Sequence, residues 1–354
     1  MASKSFILFL LISANYCQRN LISPPSVYGS SKILNTRSLK QFKWDDSKYN
    51  ASKELEYCGE INIADDDFFS NSNSCTNHTL CGLNTRNEIT YEPKLQECKN
   101  SLDCVTAVVK TAGERDHKIL TLIESAWKFY PELKFIIISD DRIDQKIDPK
   151  LQKYMNDVPE KLYFKIFEPI VGLAHGRMIG LGKVKTPYVL LMDDDFEFTK
   201  KTDIDKLLNV LMSTSASLVG GTTDKCNFFG LVRFYQKDRM NIFEHTENYI
   251  HGNLKNHQNC LHVDIAKNFF VARLEDVLQV GGWNKRLVVA EHEDLFIKLK
   301  LNGKSVVICP EVHISHRQEN DRIRTQRKYS FKGYKKILKD FWKIDQMIFV
   351  TKTK

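Results

Sequence analysis

Three observations predict an α/β fold with a mostly parallel sheet flanked by helices. Strand-like and helix-like segments alternate about every 25 residues from Cys104 onward, the pattern of βαβ units. Residues 188–192, Tyr-Val-Leu-Leu-Met, form an unbroken apolar run behind Pro187, as expected of a strand buried on both faces. Two such strands run straight into carboxylates, Asp140-Asp141 and Asp193-Asp194-Asp195. Ligands of open α/β sheets bind outside the carboxyl ends of strands, so both acidic groups are expected on one edge.

Residues 104–110, Cys-Val-Thr-Ala-Val-Val-Lys, read as the first strand. Apolar residues at 119, 120, 122, 123, 126 and 127 give 116–130 a helical spacing, which Pro131 closes. Strands follow at 135–139, 162–167 and 188–192, with a helix at 172–184. A helix at 203–212 leads to a short strand at 217–222. Residues 224–262 show no period and read as an irregular insertion facing an acceptor. A buried strand at 263–273 and a short helix at 274–280 precede Gly281-Gly282-Trp283, a turn expected to expose its aromatic ring. In 288–301 the apolar positions 295, 296, 299 and 301 pack one face, and Glu291, Glu293 and Asp294 crowd the first turn, where the helix dipole favours anions. The last strand, 305–308, leads to His313 and His316. These lie three apart, so on a strand one at most points into a site.

The ends differ from this core. Residues 6–12 are wholly apolar behind Lys4: a signal peptide over 1–17, or a short anchor, too short to span a bilayer as a full helix. Residues 18–100 are rich in Ser and Asn, with four cysteines and the sequons at Asn50 and Asn77, and read as a stem leading into a disulfide-tied N-terminal extension. Of nine cysteines, Cys17 lies at the cleavage region; the other eight pair in an oxidising lumen or stay as buried thiols. From Arg317 onward 12 Lys and Arg face 4 Asp and Glu, which accounts for the whole net charge of +8. This 317–354 tail reads as a basic helix built on Tyr334, Ile337, Leu338, Phe341 and Trp342, with a charge that also suits a diphosphate or an anionic membrane.

Adjacent carboxylates repel unless protonated, separated or neutralised by a cation. In an extended chain Asp193 and Asp195 share one side and Asp194 faces the other, which suits one hard divalent ion. An EF-hand is excluded by Phe198, at the position that needs Gly. No Gly-x-Gly-x-x-Gly follows the first strand and no Gly-x-x-x-x-Gly-Lys occurs, so any bound phosphate must be held by metal and basic groups, with Arg177 a candidate. Glu293 reads as a general base at a helix start.

These motifs in this order resemble the inverting GT-A glycosyltransferases, whose fold is a Rossmann-like sheet, and more closely the β-1,4-N-acetylgalactosaminyltransferases related to GM2/GD2 synthase. The resemblance spans 103–316 and places a GT-A domain at 101–316. It implies that Asp140 or Asp141 contacts uridine, that Arg177 lies near the nucleotide, and that Asp193 meets the ribose with Asp194 in support. Asp195 binds Mn²⁺ (or Mg²⁺) bridging the diphosphate of a UDP-sugar, with His316 completing the shell. Glu293 deprotonates the acceptor, Asp294 being its competitor, and Trp283 and Asn268 meet the sugars. The implied partners are the UDP-sugar and a glycan acceptor on lipid or protein, without nucleic acid. The implied place is the Golgi lumen, or outside the cell if secreted, with membrane association through the amino-terminal segment. A non-catalytic glycan- or partner-binding relative and a metal-dependent phosphohydrolase or nucleotidyltransferase are the competing readings.

Overall fold

The computed structural model describes residues 101–350 except 114, 141, 143–145, 168–171 and 225–227. Asp141, the hydrophobic amino terminus, the stem and both sequons lie outside the described residues.

The first half is built of β1 (Val105–Ala112), α1 (Asp116–Phe129), β2 (Lys134–Asp140), α2 (Pro149–Asp157), β3 (Leu162–Ile166), α3 (Gly172–Lys183) and β4 (Tyr188–Asp193). Then come β5 (Phe196–Glu197), α4 (Ile204–Ser213), β6 (Leu218–Thr223), β7 (Gly230–Lys237), β8 (Met240–Glu247), β9 (Gly252–Asn253), β10 (Leu261–Val263) and β11 (Phe269–Arg273). The chain continues through α5 (Leu274–Gln279), α6 (Glu291–Leu301), β12 (Val306–His316), α7 (Arg322–Trp342) and β13 (Gln346–Val350).

The main sheet has the order β3-β2-β1-β4-β11-β6-β12-β10-β9, with β5 paired to β12. β3, β2, β1 and β4 are parallel, as the alternation predicts. Beyond β4 the sheet is mixed. The β4–α4–β6 crossover leaves a gap of one strand, and β11 fills it antiparallel to both neighbours. The apolar run of β4 is buried on both faces: Val189 to Met192 are at most 1% exposed. On one face α1 and α4 contribute Ile119, Leu122, Ile123, Leu207, Leu208 and Leu211 to a single cluster with Leu190 and Met192. Each such side chain contributes roughly 1.5–3 kcal/mol on burial. On the other face α3 lies close against β1, because a Cβ on Gly180 would stand 2.6 Å from Val108 Cγ1.

Three segments depart from the sequence reading. Residues 230–247 form a hairpin with register Lys237↔Met240, rather than an irregular insertion. Its two-residue turn, Asp238-Arg239, has φ 50 and 63, the left-handed pair that hairpins require, supplied without glycine. The helix expected over 288–301 begins only at Glu291, because Ala290 sits at φ 65. The strand expected over 263–273 is split into β10 and β11, joined by an irregular stretch.

Cys260 and Cys309 form a disulfide across the β10 and β12 region, and Cys104 is disulfide-bonded as well. In the basic tail, Ile323, Leu338 and Trp342 of α7 are buried while Tyr329 is 83% exposed. β13 then adds in parallel to β8. Among the described residues no helix is long and apolar enough to cross a membrane.

Candidate active site

The carboxyl ends of β1, β2 and β4 lie side by side, with Lys110 in register with Asp193 and Ala112 with Asp140. Of the aspartates on this edge, two turn inward. Asp140 is fully buried and pairs with Lys110; its other oxygen accepts from Gly172 N at 2.7 Å. The Asp140 carboxylate thus ties β2 to the start of α3, while Asp141, the other residue expected at the uridine, lies outside the described residues. Gly172 suits this place, since its φ is +77 and a Cβ would come 2.7 Å from Val288 Cα. Asp194 is also buried, accepting from Thr111 Oγ1 at 2.6 Å and from Arg115 Nη1 at 3.0 Å to each oxygen. It braces the triplet from behind, both of its oxygens being engaged by Thr111 and Arg115.

Asp193, the last residue of β4, and Asp195, in the turn that follows it, lie on the other side. Asp193 accepts from Arg177 Nη2 at 3.0 Å and from Asn268 Nδ2 at 3.4 Å. Burial pushes its carboxyl up, with Arg177 opposing and Asp195 adding to the rise. Asp195 Oδ1 lies 3.2 Å from His316 Nε2. The register His316↔Phe196 between β12 and β5 brings them together. Burial acts to raise the Asp195 carboxyl, but the hydrogen bond and charge of His316, with Arg115 and Lys118, bring it down to about 2. Asp195 also opens on a cleft of about 300 Å³ lined by Lys118, Phe196, Arg317 and Glu319 among others. His313 faces away, its Nδ1 2.7 Å from Thr222 Oγ1.

Arg177 is the centre of the site. It is 2% exposed, and it bridges Asp193 to Glu291, the first residue of α6. Its guanidinium also lies 5.6 Å from the centroid of the Trp283 ring. Trp283 is itself only 2% exposed, so the expectation of an exposed aromatic is corrected. Gly281 and Gly282 have φ 79 and 53, and this reversal turns the ring inward under Arg177.

Glu293 and Asp294 have separate fates on α6. Asp294 is fully buried: Oδ2 accepts from Asn284 N at 2.8 Å and pairs with Lys298 at 2.7 Å, and Oδ1 accepts from Trp342 Nε1 at 3.0 Å. Its role as competitor for the base is not supported by this placement. Glu293 is only partly buried, and its carboxyl is pushed up to about 7, first by burial and then by the charges of Glu291 and Asp294, against its own backbone N–H and Lys335. Next to it, His292 Nδ1 lies 2.8 Å from Asn268 Oδ1, so α6 is linked through Asn268 to Asp193.

Sequence reasoning gave no site role to Lys110 or Arg115, and it read Glu291 only as part of an acidic first turn and Trp342 only as part of the tail helix. Only Glu291 carried a local signal, two residues from Glu293 in the same first turn. The others meet their partners across 30 or more residues of chain.

The arrangement thus offers a carboxylate–imidazole pair able to share a divalent ion, a cationic centre, and a carboxyl poised near neutrality beyond it. The sequence model of glycosyl transferase family 2 matches residues 106–276. The chain is 28% identical over 270 residues to β-1,4 N-acetylgalactosaminyltransferase 1 of Mus musculus, covering 73% of this chain and 48% of that protein. It is 30% identical over 212 residues to β-1,4 N-acetylgalactosaminyltransferase 2 of the same species, covering 60% and 39%. The chain therefore spans about half or less of the length of these relatives. Among solved structures it is similar to GalNAc-T7 with UDP, GalNAc and Mn²⁺, at a TM-score of 0.45 and 14% identity over 60% of this chain and 43% of that one. Residues 106–276 thus match the glycosyl transferase family 2 model, and the chain is similar over 73% of its length to a β-1,4-N-acetylgalactosaminyltransferase.

Proposed function

We propose that the protein transfers a sugar, N-acetylgalactosamine first among candidates, from a UDP-sugar to a glycan hydroxyl on lipid or protein with inversion, forming a β-linkage. The observation that carries this reading is the division of labour at the sheet edge. Asp195 meets His316 on one side of Asp193, while Arg177 and Asn268 connect Asp193 to the start of α6, where Glu293 stands.

The donor set fits a hard divalent ion, Mn²⁺ or Mg²⁺. Asp195 and His316, 3.2 Å apart, would supply two ligands, with the remaining positions left to the substrate. That is the situation of an ion bound by one or two protein groups plus substrate phosphates. When bound there, such an ion supplies Lewis-acid stabilisation of the charge developing on the departing diphosphate. The Asp195 carboxyl, held down at about 2, stays ionised and ready to ligate across the neutral range. Asp193, beside Asn268, is placed to take the ribose hydroxyls. Arg177 fixes the carboxylates on both sides of the site so that neither swings into the leaving group.

Glu293 then accepts the proton of the incoming hydroxyl. A carboxyl poised near 7 is well matched to this, since general bases work best with a pKa near the working pH. One catalytic carboxylate suffices for a single displacement, unlike the flanking pair of a glycosidase. The lumen of the secretory pathway, with the Golgi foremost, is part of the proposal, supported by the Cys260–Cys309 disulfide. The test is incubation with a panel of UDP-sugars, Mn²⁺ and glycan acceptors, with NMR assignment of the new linkage. A β-linked product from a UDP-N-acetylhexosamine is expected, whereas an α-linked product would overturn inversion.

A further inference from the structure

The carboxy-terminal helix α7 lies beyond the matched family segment, and it is pinned at both ends to carboxylates of the site. At its start Asp321 caps the helix, accepting from Arg324 N at 2.8 Å. It also takes one whole side of a guanidinium, from Arg115 Nε at 2.8 Å and Nη2 at 2.9 Å, and Lys118 Nζ adds a bond at 3.0 Å. The remaining arm of that guanidinium, Nη1, holds both oxygens of Asp194 at 3.0 Å. One buried arginine thus fixes Asp194, and with it the peptide that carries Asp193 and Asp195, to the first turn of α7. At the far end, Trp342 Nε1 donates to Asp294 Oδ1 at 3.0 Å, and Leu338, one turn earlier, is fully buried. Asp294 adjoins Glu293. A helix of 21 residues spans about 30 Å, so one rigid element meets both ends of the site.

We propose that α7 is a strap that keeps the donor end and the base end of the site in register, with Asp321 acting through Arg115 on Asp194 and Trp342 acting on Asp294. These are positioning residues, since none is placed to touch substrate. The proposal rests on the transferase reading above. The two contacts differ in what they position, so their loss has different kinetic signatures. Trp342→Phe keeps an aromatic ring but removes the indole N–H together with part of the ring volume, leaving a buried Asp294 oxygen without that donor; kcat is expected to fall about tenfold with the donor KM nearly unchanged, and the melting temperature reads the packing loss separately. Asp321→Asn weakens the charged grip on Arg115; the donor KM and the half-saturating Mn²⁺ concentration are expected to rise about tenfold with a smaller effect on kcat.

The experiment measures both parameters, with melting temperatures, in the full chain. The exposed Lys336→Ala variant on the same helix serves as a control expected to match the parent. The strap is overturned if Trp342→Phe turns over like the parent, or if both variants lose kcat and KM together in proportion to a fall in melting temperature. If the parent itself transfers no sugar, the transferase reading fails instead. The strap is then judged by titration with UDP and Mn²⁺, where unchanged binding in Asp321→Asn overturns it.

Discussion

Replacing Glu293 by Gln separates the catalytic from the structural consequences of the site. The Glu293 carboxyl is pushed from its ordinary 4.5 to about 7, chiefly by burial. A carboxyl whose folded pKa is raised binds its proton more tightly in the native state, so its contribution to stability is fully present below about 4.5 and is lost as pH rises through about 7. Above that pH the ionised side chain costs about 3 kcal/mol, from the size of the shift. Glutamine has nearly the same shape and never ionises. Glu293→Gln is therefore expected to match the parent in stability near pH 4.5 and to exceed it at pH 8 by up to about 3 kcal/mol, a gain of roughly 5–10 °C in melting temperature. The same variant is expected to lose about 10²- to 10⁴-fold in transfer, the usual contribution of a general base, while still binding UDP. In the parent, kcat is expected to rise with pH through about 7 as the base ionises. Thermal melts at the two pH values and transfer assays read these effects. A variant that melts with the parent at pH 8, or transfers at the parental rate, refutes the assignment of Glu293 as a base whose carboxyl is raised to about 7.

Three other outcomes follow from the geometry. His316→Ala is expected to raise the Mn²⁺ concentration needed for half-maximal activity, since it removes one of the two proposed protein ligands and leaves Asp195 alone; a metal titration checks it. Arg177→Met leaves Asp193 and Glu291 buried or half-buried without their shared cation, and denaturant unfolding is expected to show a loss of about 3–5 kcal/mol. Reducing or replacing the Cys260–Cys309 bridge, which closes a loop of 49 residues, is expected to cost about 4 kcal/mol of stability, read by melts with and without reductant.

The fold was legible wherever burial and periodicity coincide. The run at 188–192 and the helix spacing at 116–130 carry their own signal, and the structure places β4 and α1 there. The hairpin at 230–247 was hidden because its left-handed turn uses Asp238 and Arg239, not the Asn-Gly or Asp-Gly pairs that announce such turns. α2 carried a signal that was passed over: Asp148 caps it and Pro149 opens it. In the site, residue type was readable but orientation was not. Asp140, Asp194 and Asp294 look as available in the sequence as Asp193, Asp195 and Glu293. Only the tertiary partners Lys110, Arg115 and Trp342 show that the first three are committed to holding the structure together. Alternation along an extended chain set Asp194 apart from its neighbours in advance, but β4 ends at Asp193, and it is the turn at Asp194 and Asp195 that sends Asp194 to Thr111 and Arg115.

The most direct test of the central claim is UDP release and sugar transfer with Mn²⁺ by the parent beside Asp195→Ala. Turnover of at least one UDP-sugar by the parent is expected, with a loss of about 10²-fold or more in the variant. A parent that turns over no donor, or an Asp195→Ala chain as active as its parent, would contradict the claim.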